Sequence, residues 1–506
     1  MDSNKRMAVN TVILYVKLVI TIIVNLYSTR LILNDVGVED YGVINLISGI
    51  VAMLSFVRNS MSVSSQRYMS VYMGKHDDAL MVKVFNSSFV LHLMLAVFIL
   101  ILLEILAPMI FSSSIQIPEQ REFAAKVLYQ LTILGTILVV MTVPYDAALN
   151  AHENMLVFSI ASIIESLIRL VGAFVLLVYS NDKLIFYGIL LIIIRLTSLL
   201  IKYIYCRKYY KETKVLIKQR DKTMVKEMFS FSFWNMFAAF ATTGRSQGVA
   251  IVMNVFLGVV VNASFGIANQ ISGQLQNFSA TISKAMNPQI MQRAGSGNQE
   301  GMISLALKQC KYSSILLSYA CVPLLFSMPF ILKVWLGKIP EYCVAFSSLI
   351  LIVAAIQQLT VGLMSAIQAT GIIRNYQLSI STTMLLNIPL AYVLLKFGCS
   401  APTVLIGMIT IEIILCIIRV SFAYKLAGLI VGDFIKNVSV PIIGLYLVTC
   451  VILFIMKVLF FEESNFISFL VLSVTAVIVN SIMAYVVLTS SERDFIIKII
   501  KKRIRK

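Results

Sequence analysis

The sequence predicts an all-α integral membrane protein of about 14 transmembrane helices. Three observations predict it. Of the 506 residues, 59% are hydrophobic and only 13% are charged, where a soluble domain is about one-quarter charged. Mean hydropathy is +0.89. Apolar runs follow one another with short loops between them, each near the roughly 20 residues that cross a hydrocarbon core about 30 Å thick. Little chain is left over for a soluble domain.

The expected spans, in order, are 8–33, 41–66, 84–110, 122–149, 155–179, 184–206, 228–256, 258–286, 303–333, 342–369, 376–397, 402–424, 438–460 and 466–489. The first apolar run, from Ala8 to Leu33, exceeds a signal-peptide h-region, contains Lys17, and precedes no small-residue cleavage site. It reads as a span. The division between 228–256 and 258–286 is the least distinct, because the second segment is rich in polar residues. Trp234 and Trp335 sit near span ends and read as interface anchors.

Lysine and arginine set the orientation. Net charge is +18, which in a soluble chain would suggest nucleic acid. Here the basic residues gather in loops. The stretch Arg207–Lys226 holds Arg207, Lys208, Lys211, Lys214, Lys218, Arg220, Lys222 and Lys226. The tail holds Lys498, Lys501, Lys502, Arg503, Arg505 and Lys506. The positive-inside rule places both in the cytoplasm. An even number of spans joins them to an N-terminus bearing Lys5 and Arg6. Such segments also suit anionic lipid headgroups. Nucleic acid is therefore not an expected partner.

An internal repeat divides the chain. Tyr41-Gly-Val-Ile-Asn-Leu-Ile-Ser-Gly49 resembles Phe265-Gly-Ile-Ala-Asn-Gln-Ile-Ser-Gly273. Beyond it, Ser55 aligns with Ser279, Gln66-Arg67 with Gln292-Arg293, and Gly74-Lys75 with Gly297-Asn298. The second span thus corresponds to the eighth, six spans later and in the same orientation. That predicts two six-helix lobes related by a pseudo-twofold along the membrane normal, as in parallel-repeat transporters. The expected organisation is an N-lobe over 1–206, a basic cytoplasmic linker over 207–227, and a C-lobe over 228–425. Two extra C-terminal helices over 438–490, packed against one lobe, and a basic tail over 491–506 complete it.

Polar stripes mark the helices that line something. Asn10, Lys17, Thr21, Asn25 and Ser28 share one face of span 1. Asn45, Ser48, Ser55, Asn59, Ser62 and Gln66 do so on span 2. Span 8 carries two stripes: Gln270, Gln274, Asn277, Thr281 and Lys284, then Asn262, Asn269, Gln276 and Ser283. Facing lipid, such stripes are costly. Helix–helix hydrogen bonding explains an isolated stripe. Several stripes, two of them repeat-related, predict a water-filled cavity between the lobes, with Gln247 beside it.

Charges within spans each cost about 2.5–3.5 kcal/mol on the insertion scale and so need a partner or water. Glu165 and Arg169, at i and i+4, are expected to pair. Glu412 and Arg419, two turns apart, are placed to share a network. Arg195 and Arg419 are placed to snorkel to the cytoplasmic face. Arg30, beside Asp35, Glu39 and Asp40, reads as an interfacial ion pair. Lys17, Arg58, Arg245 and Lys284 have no local acid and lie on the repeat-related spans. A cavity with that surplus suits an anion, and a diphosphate matches the charge-assisted donors of Arg and Lys. Glu104 is the unpaired acid, placed for ion coupling.

The remaining chemistry is thin. Cys206, Cys310, Cys321, Cys343, Cys399, Cys416 and Cys450 are scattered, without a CxxC pair, and His76, His92 and His152 do not cluster. No metal site, disulfide framework, cofactor site or catalytic constellation is expected. No nucleotide-binding motif is present.

Several segments resemble one family. Leu26-Tyr-Ser-Thr-Arg30, Val36-Gly-Val-Glu-Asp-Tyr-Gly42, Gln66-Arg67 and Gly74-Lys75 look like the start of polysaccharide-biosynthesis flippases, the Wzx-type O-antigen transporters. Val143-Pro-Tyr-Asp146 with Ala151-His-Glu153, Arg245-Ser-Gln-Gly248 and Asn287-Pro-Gln-Ile290 continue the match. Ala369-Thr-Gly371 with Arg374-Asn-Tyr-Gln377 extend it to about residue 425. Each motif is weak alone; their order and spacing are more specific. The superfamily also holds multidrug-extrusion (MATE) transporters. The resemblance implies two lobes, alternating access, and an oligosaccharide on undecaprenyl diphosphate moved from the cytoplasmic to the periplasmic leaflet. It implies a bacterial inner-membrane protein with both termini cytoplasmic, membrane lipids and a polysaccharide polymerase as partners, and a product used for O-antigen or capsule. Where the family pattern carries an arginine, this sequence has Phe265, so that the implied cationic contact is either missing or moved, for example to Lys284.

Two other readings stay open. A MATE-like cation or drug antiporter needs buried acids, and the unpaired charges here are basic. A membrane glycosyltransferase or polymerase needs catalytic acids on a substantial loop, and Asp77-Asp78 stands alone.

Overall fold

The computed structural model describes residues 3–52, 54–111, 119–460, 465–489 and 492–493. Among the described residues every regular element is helical. Ten helices are long and apolar enough to cross a membrane, or eleven if the pair Cys343–Gln358 and Val361–Thr370, bent by 44°, forms one span. All the expected spans fall on helices, and three of them are not among these eleven. Residues 41–66 are divided between Val38–Ala52 and Ser55–Gly74, the second carrying Arg58, Arg67 and six serines. Residues 228–256 and 258–286 belong to one element, Lys222–Gly295, whose backbone leaves helical geometry at Gly258 with φ 80°. Polar residues that make a lining face also make a span less apolar.

The described chain divides into two compact units, Met1–Ala239 with Asn287–Asn298, and Phe240–Met286 with Gln299–Lys506. The first contains α1 (Ser3–Val36), α2 (Val38–Ala52), α3 (Ser55–Gly74), α4 (Asp78–Ile110), α5 (Glu122–Ala151), α6 (Met155–Val178), α7 (Lys183–Tyr209) and both ends of α8 (Lys222–Gly295). Side-chain caps fix where several begin. Asn154 accepts from the Val157 amide, Asp182 from Leu184 and Ile185, and Asp221 from Thr223 and Met224. Each satisfies donors that a helix N-terminus leaves orphaned. At the other end of α7, Arg207 and Lys208 complement the helix dipole.

Two glycines allow a close approach of backbones in this unit. A Cβ on Gly74, at the end of α3, would overlap the Gln292 carbonyl, and a Cβ on Gly295 would overlap the Val71 carbonyl. The ends of α3 and α8, which the repeat aligns, therefore meet backbone to backbone. The same junction is tied by side chains. Gln289 donates to the Glu153 carboxylate at 2.8 Å, and Gln292 to the Ala151 carbonyl at 2.6 Å. Asn10 donates to the Glu153 carbonyl at 2.9 Å. The basic linker is fastened too: Asn86 donates to the Lys214 carbonyl and accepts from the Leu216 amide, and Thr213 is fully buried.

The second unit contains the middle of α8, α9 (Gln299–Leu336), α10 (Cys343–Gln358), α11 (Val361–Thr370), α12 (Arg374–Leu385), α13 (Asn387–Lys396), α14 (Ala401–Phe422), α15 (Val431–Phe434), α16 (Val440–Phe460) and α17 (Phe466–Val487). Its core gathers Val249, Met253, Phe265, Phe346, Leu405 and Met408. Phe265 is 1% exposed and meets Phe346 edge to face, so the position of the missing family arginine is filled by packing. The extra C-terminal helices pack on α9 through Val322, Leu453, Leu472 and Ala476. Thr449 donates to Asn480 at 2.9 Å between them. Outward faces such as Val171, Phe174 and Val178 are exposed and apolar, as lipid contact requires.

Candidate functional site

In the first unit the intramembrane cations gather in two places. Lys17 sits with its Nζ 5.2 Å from the centroid of the Phe158 ring, and Lys202 lies 5.1 Å from the same centroid. Lys202 also binds Asp146 at 2.8 Å. The ring's negative face suits both ammonium groups.

Arg58, Arg169 and Arg195 line one cavity of about 360 Å³, with Ser48, Ser55, Thr132, Thr136 and Tyr187 among its other walls. Arg195 and Glu165 pair at 3.5 Å. This corrects the expected pair of Glu165 with Arg169: the acid turns to the neighbouring helix and leaves Arg169 to the cavity. It also corrects the reading of Arg195 as a snorkelling residue. Arg58 donates to Asn59 at 3.2 Å. Arg169 and Arg195 were missed as candidate site residues. The signal was Thr132 and Thr136, at i and i+4 on α5 and facing the same space.

In the second unit Arg245 is not without an acid. Its guanidinium lies 3.5 Å from Glu412, whose other oxygen accepts from Arg419 at 2.8 Å. Arg419 also donates to the Thr360 hydroxyl at 3.1 Å. Arg419 and Glu412 are 0% and 1% exposed at the side chain, and Arg245 is 13% exposed. The expectation that Arg245 has no local acid held only along its own helix. Arg419 is buried rather than snorkelling. Two guanidiniums share one carboxylate, so a positive charge remains, with Arg245 the more accessible member.

The polar stripes of α8 separate. Gln270, Gln274, Asn277 and Lys284 are exposed on their unit, and Asn269 is half-buried. In the second stripe Ser283 accepts from Gln309 at 2.9 Å, Gln276 reaches Gln357 at 3.5 Å, and nearby Ser279 donates to Gln358 at 2.6 Å. That stripe bonds helices together, whereas Gln270, Gln274 and Asn277 of the first are exposed and its Thr281 is buried. Gln247 is exposed, Asn25 is half-buried and Asn59 is exposed. The side chains of Asn45 and Arg30 lie outside the described residues. Asp40, expected beside Arg30, is bound by Arg121, which also meets Asp182 at 2.9 Å. Glu104 is exposed and accepts from Gln130 at 3.4 Å, so it is not unpartnered.

Comparison with known proteins decides the family. The model of a family described as polysaccharide biosynthesis protein matches residues 4–293. The chain belongs to the polysaccharide biosynthesis protein family. No match was found among curated proteins. Solved structures of MATE transporters share the fold. A MATE point mutant is 14% identical with a TM-score of 0.72, covering 85% of this chain and 97% of that one. MATE in the bent conformation is 12% identical with a TM-score of 0.74, covering 85% and 96%. A MOP superfamily transporter from Pyrococcus furiosus is 14% identical with a TM-score of 0.70, covering 85% and 97%. Reverse polarity of its binding pocket is said to suggest a different function. Family and fold together make the chain a multi-pass membrane member of the polysaccharide biosynthesis protein family with the two-lobe fold of the MATE structures.

Proposed function

We propose that this transporter is a flippase carrying undecaprenyl-diphosphate-linked oligosaccharide from the cytoplasmic to the periplasmic leaflet of a bacterial inner membrane. It works by alternating access, in O-antigen or capsule assembly. One observation carries the reading: a polysaccharide-biosynthesis chain holds a surplus of cations inside the spans of both units. Arg58, Arg169 and Arg195 stand against Glu165 in one, and Arg245 and Arg419 against Glu412 in the other. Burying unneutralised charge is costly, and a diphosphate answers it with acceptor oxygens matched to guanidinium forks.

In this reading Arg245, Lys17, Arg58 and Lys284 contact the diphosphate. Asn25, Asn45, Asn59, Gln247, Asn269, Gln270, Gln274 and Asn277 meet sugar hydroxyls. The lipid tail stays among membrane lipids, both termini face the cytoplasm, and a polysaccharide polymerase receives the product. A cation antiporter is the competing reading. It requires an available buried acid, and Glu165 and Glu412 are both held by arginine. The P. furiosus transporter, with its reversed pocket polarity, is consistent with one fold serving solutes of different charge.

The test is a leaflet assay in cells that make the lipid-linked glycan. Arg245→Ala is expected to stop periplasmic appearance of the glycan with protein abundance unchanged, because Glu412 keeps Arg419 at 2.8 Å. Normal export by the variant would remove the reading's strongest cation. Normal glycan crossing without the protein would remove the flippase reading itself.

A further inference from the structure

The cavity of the first unit has the makings of a ligand site in its own right. It is lined by α2, α3, α4, α5, α6 and α7, and its three arginines come from α3, α6 and α7. Glu165 is taken up by Arg195, and nearby Asp146 is taken up by Lys202 at 2.8 Å. Among the described residues, neither Arg58 nor Arg169 forms an ion pair. A purely structural cluster in a membrane would be expected to pair each guanidinium with an acid or a carbonyl. Here three forks from separate helices face one space, with two positive charges in surplus. At about 360 Å³ the space is at the small end of ligand pockets. It suits a compact anionic group. Guanidinium donors favour multi-oxygen acceptors that they can grip with two parallel hydrogen bonds, phosphate among them, over a monatomic ion.

We infer that Arg58, Arg169 and Arg195 form a binding site, within the first unit alone, for a phosphate-class dianion. Either a free phosphate or diphosphate or a prenyl diphosphate headgroup supplies that chemistry. Arg169 and Arg195 are its added ligands, and Glu165 positions Arg195. The choice of the phosphate class rests on the flippase reading; the existence of an anion site does not.

The experiment uses the full chain, purified into nanodiscs of zwitterionic lipid and titrated calorimetrically with inorganic diphosphate and, separately, with farnesyl diphosphate. Arg169→Gln is the main variant, because it leaves the Arg195–Glu165 pair in place. Arg169→Lys keeps the charge and loses the fork. Lys218→Gln, on the exposed linker, is the control. At least one probe is expected to bind, with affinity weakened tenfold or more by Arg169→Gln, less by Arg169→Lys, and not by Lys218→Gln. Dependence seen with inorganic diphosphate identifies a free anion as a sufficient ligand; dependence seen only with farnesyl diphosphate identifies a lipid headgroup. Absence of binding by the wild type, or equal binding by Arg169→Gln, would overturn the site. The leaflet assay reads glycan export and this titration reads binding, so either can fail alone.

Discussion

Arg245 is oriented by a carboxylate that its own helix does not supply. Glu412 bridges it to Arg419 in a buried setting, where removing the one acid leaves two guanidiniums without a shared counter-charge. Glu412→Gln is therefore expected to destabilise the folded protein by about 3–5 kcal/mol, the usual consequence of breaking a buried ion pair from one side. Thermal melting of the purified protein checks it; an unchanged melting temperature would mean that solvent reaches the triad. Glu212 makes a gentler case in the linker. Burial pushes its carboxyl up, but its hydrogen bond with His152, at 2.6 Å, and one from a backbone amide more than offset this. They leave it below the ordinary value of 4.5. A depressed carboxylate contributes stability above its ordinary value and loses it as pH falls through the depressed one. The melting gap between wild type and Glu212→Gln is expected to narrow as pH falls below 4.5. The sequence showed which residues are charged and which pairs lie within two helical turns, so Glu412 with Arg419 was legible. Arg245 with Glu412, and Glu165 with Arg195, join residues distant in the chain, and only the packed helices bring them together.

At the level of elements, apolar length was enough to place nearly every helix, because the bilayer enforces it. It was less informative where a helix lines polar space, and α3 and α8 are the examples. There the repeat is the better guide, since it pairs the ends of these two helices, which meet in the fold. That contact tolerates no side chain at Gly295, where a Cβ would overlap the Val71 carbonyl, whereas one at Gly266 on the same helix meets nothing within 4 Å. Gly295→Ala is expected to cost about 1–3 kcal/mol, as overpacking does, and to impair export. Gly266→Ala is expected to be neutral or slightly stabilising, since alanine favours helix. Equal melting temperatures for the two variants would show that α3 and α8 yield to each other freely. Several motifs behind the family resemblance turn out to be fasteners of this region. Ala151-His-Glu153 receives Gln289 and Gln292, and Glu153 holds a left-handed φ of 55°. Their order along the chain signals the fold more than the solute.

Across the whole molecule, the repeat and the family both speak of two lobes, yet the chain does not give each compact unit one uninterrupted stretch. It leaves the first unit inside α8, at Ala239, and returns to it for Asn287–Asn298. That routing bears on how the protein can be cut and rejoined. A gene divided in the basic linker, encoding 1–220 and 221–506 separately, would yield an N-terminal fragment deprived of pieces that its own unit needs. Such a fragment is expected to be degraded when made alone and to persist when its sister is co-expressed, which immunoblotting of membranes would reveal. Equal abundance in both cases would show that the early helices assemble unaided. If the dependence holds, neither half can be inherited, swapped or shuffled as a free-standing cassette. The obvious linker is then a poor place to look for an evolutionary seam.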